Sequence, residues 1–212
     1  MKIELIGAGY VGGQILKEAT DRGHQVTVVV RHPEKLEPHP QVNAVKGDVF
    51  DVDGLIPSLQ GHDAVISAYN PGTARPDAGK LQFKGTLNTM EAAKKAGVKR
   101  FLVVGGAGSL EVAPGVQLVD TPHFPTEWKN AASGLRDVLT EIRKEKELDW
   151  TFFSPAALLQ PGERTGKFRL GGDQLLTEEK GPGRISTADY ALAMLDEVEN
   201  PRHIRRRFTI AY

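Results

Sequence analysis

The run Gly7-Ala8-Gly9-Tyr10-Val11-Gly12 is the part of this chain whose residue types and spacing most directly imply chemistry. It follows the short apolar stretch Ile3 to Ile6 and precedes a stretch of helical periodicity, so its G-x-G-x-x-G pattern reads as a turn that opens a helix. Gly7 permits the tight turn, Gly9 lets backbone approach a pyrophosphate with no Cβ in the way, and Gly12 lets the helix pack close to the strand. The helix N-terminus then offers the N–H groups of Tyr10, Val11 and their neighbours, with partial positive charge, to the phosphates. A glycine turn that only tightens packing has the same letters, but the strand-then-helix setting favours dinucleotide binding.

The next informative position lies at the end of the second apolar run. A site selective for NAD places Asp or Glu about 20 residues beyond the fingerprint to hold the ribose 2′-hydroxyl; here that place is Arg31. A guanidinium offers a fixed fork of donors and a permanent charge, which suits a 2′-phosphate and predicts NADP(H), with NAD(H) as the weaker alternative. His32 is a second donor, beside the ordinary loop residues Pro33, Glu34 and Lys35. The competing reading of Arg31 is a solvated arginine at a strand end.

These residues must be positioned by a scaffold, and the punctuation of the chain describes one. Short β-branched runs alternate with helical periodicity, the pattern of a doubly wound α/β parallel sheet. The strands fall at Ile3 to Ile6, Gln25 to Val30, Val42 to Val45, Ala64 to Ser67, Arg100 to Val104, Trp150 to Phe153 and Arg207 to Ile210. One helix face is marked by Val11, Ile15, Leu16 and Ala19, and a second helix spans Leu81 to Ala96 and ends at Gly97. Trp128, Ala132, Leu135, Leu139 and Ile142 mark a third, which places Trp128, like Trp150, in the core. A fourth begins at the N-cap Ser186, with Asp189 at the third helical position. Glu141 to Glu147 reads as an exposed helix face. Glycine-punctuated residues 155–184 break the alternation and read as an irregular substrate-side lid within a single 1–212 domain.

The chain has 212 residues, 27 basic and 27 acidic side chains, 40% hydrophobic residues and no cysteine. Disulfides, thiolate nucleophiles and cysteine-ligated metals are therefore excluded. Zero net charge supplies no field for nucleic acid or acidic lipid, so neither partner is expected. No apolar run is long enough to span a bilayer, and a cytoplasmic monomer or homodimer is expected. None of the six histidines forms a metal-ligand pair, so no metal is predicted. Gly-x-Ser-x-Gly is absent, leaving a hydrolase elbow unsupported. Arg202-His203-Ile204-Arg205-Arg206-Arg207 reads as a solvated sheet edge, with phosphate or a partner protein as the alternative contact.

The glycine loop, together with Val30-Arg31-His32-Pro33-Glu34-Lys35, Lys46-Gly47-Asp48-Val49, Asp63-Ala64-Val65-Ile66-Ser67-Ala68, Gly97-Val98-Lys99-Arg100-Phe101 and Ser154-Pro155-Ala156, resembles the atypical short-chain dehydrogenase/reductases. The resemblance covers almost the whole chain. Val104-Gly105-Gly106-Ala107-Gly108-Ser109-Leu110 and Pro161-Gly162-Glu163-Arg164-Thr165-Gly166 resemble the NAD(P)H-flavin reductase branch, related to biliverdin IX beta reductase. It implies a Rossmann sheet, a nicotinamide cofactor and hydride transfer to a planar small-molecule acceptor such as flavin, as substrate or ligand. It also implies Asp48 and Val49 beside the adenine, Ser67, Ala68 and Tyr69 over ribose and phosphate, and Pro155 near the nicotinamide. Asp48 has a second reading as a cap for the helix near Asp53.

The sequence departs from that family twice. The glycine loop is one residue shorter than usual, and the Tyr-x-x-x-Lys catalytic pair reads Pro125-Thr126-Glu127-Trp128-Lys129. Without the tyrosine the usual proton donor for ketone reduction is missing. Flavin takes its proton from water, so that chemistry loses little. Three candidates for catalysis remain: Ser109 near the family serine, Lys129 at the family lysine, which would also hold the nicotinamide ribose, and His123 as a proton source near neutral pH. Each has a plain alternative, as a turn serine, a solvated helix lysine and a loop histidine. The rival function is a non-catalytic NADP(H)-binding redox sensor of the NmrA type. A sugar-nucleotide epimerase is disfavoured by the missing tyrosine.

Overall fold

The computed structural model describes residues 1–179 and 181–212. Strands β1 (Lys2–Ile6), β2 (Gln25–Val30), β3 (Val42–Lys46), β4 (Ala64–Ser67) and β5 (Arg100–Val104) form where the β-branched runs predict them. The short pair β6 (Glu111–Ala113) and β7 (Val116–Gln117) comes next, then β8 (Asp149–Ser154), β9 (Leu158–Gln160), β10 (Arg169–Gly171), β11 (Thr177–Glu178), β12 (Gly181–Pro182), β13 (Arg184–Ser186) and β14 (Arg206–Ala211). Eight of them make one sheet in the order β10-β14-β8-β5-β4-β1-β2-β3. It is parallel except at β10, which runs antiparallel to β14. Chain order reverses between β1 and β4, the switch point at which open α/β sheets bind ligands beyond their strand C-termini.

The helices are α1 (Gly12–Asp21), α2 (Val52–Leu59), α3 (Ala78–Lys95), α4 (Thr126–Ile142) and α5 (Thr187–Glu199). Helices α1 and α5 cover one face and α2, α3 and α4 the other. Strand β4 is buried at all four positions, as a strand with helices on both faces must be. On the α1/α5 side Phe153 stacks between Tyr190 and Phe208, with centroids 4.2 and 4.0 Å away. Burying each such side chain stabilises the fold by about 1.5–3 kcal/mol. Helix α5 starts as its sequence dictates: Ser186 Oγ accepts from the Asp189 N–H at 2.9 Å.

Four expectations need correction. Trp128 is 51% exposed, because the first turn of α4 projects past its neighbours and the buried stripe starts only at Gly134; Trp150 is buried as expected. Helix α4 ends at Ile142, and Glu145 folds back to accept from the Leu148 N–H (3.3 Å) and pair with Lys94 (3.0 Å), so Glu141 to Glu147 is not one helix face. Residues 155–184 are less irregular than their glycines suggest, since Arg169–Gly171 joins the main sheet as β10. Arg207 of the basic run is buried rather than solvated, because its guanidinium turns in to Asp173 and Ser109.

Candidate functional site

The glycine loop, the end of β2, the loop after β3 and the loop after β4 enclose a cleft of about 500 Å³ at the switch point. The glycines divide their work. Gly7 has φ +92°, and a Cβ there would sit 2.9 Å from the Ala68 carbonyl oxygen. At Gly12 a Cβ would collide with the Gly7 carbonyl, so this residue sets how closely α1 approaches the loop. A Cβ at Gly9 would meet no protein atom within 4 Å: here the backbone faces open cleft. Helix α1 has no side-chain cap. Among the described residues the N–H groups of Tyr10, Val11 and Gly12 form no hydrogen bond within the protein. Uncapped donors beside a Cβ-free approach are what a pyrophosphate needs, so the residues present fit a dinucleotide.

The side walls are held by the elements behind them. Asn88 Nδ2 and Gln82 Nε2, both on α3, donate to the carbonyls of Val49 and Tyr69 at 3.0 Å each. The Tyr69 ring lies in a notch left by Gly85, where a Cβ would overlap it, and meets Phe50 edge-on at 6.1 Å. Burial pushes the Tyr69 hydroxyl above its ordinary pKa, and Arg31 opposes that shift. Asp48 Oδ1 accepts from the Phe50 N–H at 2.9 Å, whereas the cap of α2 is Asp51, which accepts from Gly54 at 3.0 Å.

Arg31, Lys35 and Arg75 line this cleft against the single carboxylate of Asp48, which makes it favourable to anions. Arg75 is paired with Asp77 at 3.0 Å, and His32 with Glu34 at 3.0 Å. Arg31 forms no ion pair or side-chain hydrogen bond among the described residues. The structure thus gathers Gly7, Gly9, Arg31, Asp48, Val49, Ala68 and Tyr69 around one space. Ser67 lies beneath it, buried, with its Oγ unpartnered among the described residues. Lys35 reads in the sequence as an ordinary loop residue, no motif marks Arg75, and nothing local in α3 signals the Gly85 notch.

The other candidates lie outside that lining. Ser109 is buried in the turn after β5, its Oγ 3.3 Å from Arg207 Nη1. His123 and Lys129 are exposed, before and within the first turn of α4. Pro155 is buried after β8, its carbonyl accepting from Thr209 Oγ1 at 3.4 Å. Among the described residues no side-chain hydrogen bond joins Ser109, His123 and Lys129 to one another. No three His, Asp or Glu side chains come together as a metal-ligand group there either.

The sequence model of the NAD(P)H-binding family matches residues 7–201, and the chain belongs to that family. It is 41% identical to the Bacillus subtilis protein YwnB over 99% of this chain and 98% of that one. A proposed epimerase from Bacteroides thetaiotaomicron superposes with a TM-score of 0.92 at 46% identity, covering 100% of this chain and 96% of that one. A proposed NADH-flavin reductase from Streptococcus pneumoniae superposes with a TM-score of 0.86 at 39% identity, covering 100% and 99%. The class is therefore an NAD(P)H-binding protein with a Rossmann-like fold, with oxidoreductases among its relatives. No helix among the described residues is long and apolar enough to cross a membrane.

Proposed function

We propose that this protein is a reductase that binds NADPH in preference to NADH and delivers hydride to flavin or a flavin-like planar acceptor. The observation that carries the reading is Arg31: a guanidinium unpaired among the described residues, at the C-terminal end of β2 and on the wall of the cleft that opens at Gly9. A 2′-phosphate would supply the partner that Arg31 lacks. Reduced nicotinamide supplies the hydride, and the chain's own part is placement and exclusion of water. The N–H groups at the start of α1 would hold the pyrophosphate, Arg31 would hold the 2′-phosphate, and the loops after β5 and β8 would flank the acceptor. Proline at position 125 removes the family's proton donor, and Ser109 is engaged with Arg207; an acceptor protonated by water fits that arrangement better than a ketone.

The same missing donor favours a second reading, a cofactor-binding redox sensor without turnover. Absorbance at 340 nm separates the two, with NADPH or NADH and with FMN, FAD, riboflavin or a quinone in turn. The reductase reading predicts acceptor-dependent oxidation, faster with NADPH. Tight cofactor binding with no turnover for any acceptor supports the sensor.

A further inference from the structure

Away from the cofactor cleft, and sharing no lining residue with it, a second open cavity of about 560 Å³ lies beside β14, β10 and the start of β8. Arg207 pairs in register with Phe152 of the α4-side cluster, whereas His203 stacks on Phe208 of the α1/α5-side cluster at 4.2 Å, so the cavity wraps the sheet margin beyond the last β10–β14 pair at Thr209 and takes Arg207 from one side and Arg206 from the other. Four guanidiniums line it, from Arg143, Arg205, Arg206 and Arg207, and one carboxylate, Asp173. That carboxylate is already shared: its Oδ1 accepts from Arg207 Nε and from Arg143 Nη2, both at 2.8 Å. Arg205 Nε donates to the Leu148 carbonyl at 3.2 Å, and its Nη2 lies 3.6 Å from Asp149. His203 Nδ1 is held by Glu197 at 2.8 Å. Arg206 is exposed, and among the described residues its side chain has no partner. A Cβ on Gly172 would meet no atom within 4 Å, so the backbone is also open to a ligand.

We propose that this cavity is an anion site that takes a phosphate group, either free or borne on a small organic molecule. The physical case is the charge count. Arg143 and Arg207 share Asp173, Arg205 has Asp149 at 3.6 Å and Arg206 has no carboxylate among the described residues, so guanidiniums outnumber the carboxylates beside them, and a dianion offsets that excess with charge-assisted bonds. Arg207 is already enclosed by protein: besides Asp173 it reaches the Ser109 carbonyl at 3.4 Å and Ser154 Oγ at 3.5 Å. The free donors are those of Arg206 and the outer nitrogens of Arg143. They stand at the open side, as a site that loads from solvent requires.

The test is a titration of the full chain with inorganic phosphate and, separately, phenyl phosphate at constant ionic strength, followed by the amide resonances of Gly171, Gly172 and Asp173. Saturable shifts are expected, weakened at least tenfold in Arg206→Ala, partly restored in Arg206→Lys and unaffected in Arg31→Ala. Equal affinity for the two probes identifies the phosphate group alone as the ligand, and tighter binding of phenyl phosphate identifies an organic ester. Shifts that fail to saturate with either probe, or that persist unchanged in Arg206→Ala, overturn the site. Arg206 is exposed and unpartnered, so that variant keeps its fold. Failure here leaves the cofactor reading untouched, because Arg31 reports on that separately.

Discussion

At the scale of single residues, the strongest claims concern Arg31 and the glycines. Arg31→Ala should weaken NADPH binding by about 1–3 kcal/mol and leave NADH nearly unchanged, as expected for a charge-assisted contact with phosphate. Calorimetric titration with both cofactors checks this, and equal losses would remove the argument for 2′-phosphate recognition. Gly9→Ala and Gly12→Ala should part company. The first adds a methyl group into open cleft, so Tm holds while cofactor affinity falls; the second collides with the Gly7 carbonyl and lowers Tm. Thermal denaturation alongside cofactor titration reads both effects. Spacing made these glycines legible in the sequence. It could not separate their roles, because only the folded loop sets Gly7 against Ala68 of the β4 loop, Gly12 against the Gly7 carbonyl and Gly9 against open cleft.

Glu4 is a residue that no pattern singled out. It lies fully buried in β1, with neither carboxyl oxygen hydrogen-bonded among the described residues and His62 Nε2 at 3.4 Å. Burial pushes its pKa up to about 8, against an opposing effect of the Ser58 hydroxyl. Between its ordinary value of 4.5 and 8, the unfolded chain releases a proton that the folded chain keeps, so this group makes stability fall as pH rises through that window. Glu4→Gln should flatten the slope in urea denaturation measured from pH 5 to 8. A slope identical to that of the parent would show that Glu4 does not titrate there.

At the scale of elements, strands β1 to β5 and the cap of α5 were legible because burial on both faces and capping are local rules. Strand β10 was not, since three residues among glycines carry no periodicity, and only pairing with β14 makes them a strand. What ties that stretch down is also long-range. Arg164 clamps Glu18 of α1 through Nε and Nη2 at 2.8 and 2.9 Å, and Thr165 and Gly166 donate to Asp189 of α5 at 2.6 and 2.8 Å. The Arg164 contact holds the Glu18 carboxyl below its ordinary 4.5, although burial opposes it. Its stabilisation is therefore present above that value and lost as pH falls through the lower folded value. Arg164→Ala should lower Tm by roughly 2–4 °C at pH 7. The difference from the parent should shrink in acid; a difference constant with pH would show that the clamp does not depend on ionised Glu18.

At the scale of the whole molecule, the order of the eight strands brings Gly9, Arg31, Asp48 and Tyr69 to one cleft from four separate loops. The alternation of strands and helices predicted this convergence, because a doubly wound sheet places its loops at the strand C-termini. The same topology leaves β14 and β10 free of α4, and the basic cavity occupies that margin. The acceptor side was less legible. Ser109, His123 and Lys129 come from three segments whose contacts depend on packing, and Ser109 is turned inward by Arg207, an arginine that reads as a surface charge in the sequence. The central claim is that hydride passes directly between a nicotinamide and a planar acceptor held by this chain. Anaerobic single-turnover mixing of the NADPH-loaded protein with FMN, recorded at 340 and 450 nm, tests it most directly. The account predicts that both absorbances fall at one rate, slowed when NADPH carries deuterium at the transferred position; loss of neither absorbance over many minutes would contradict it.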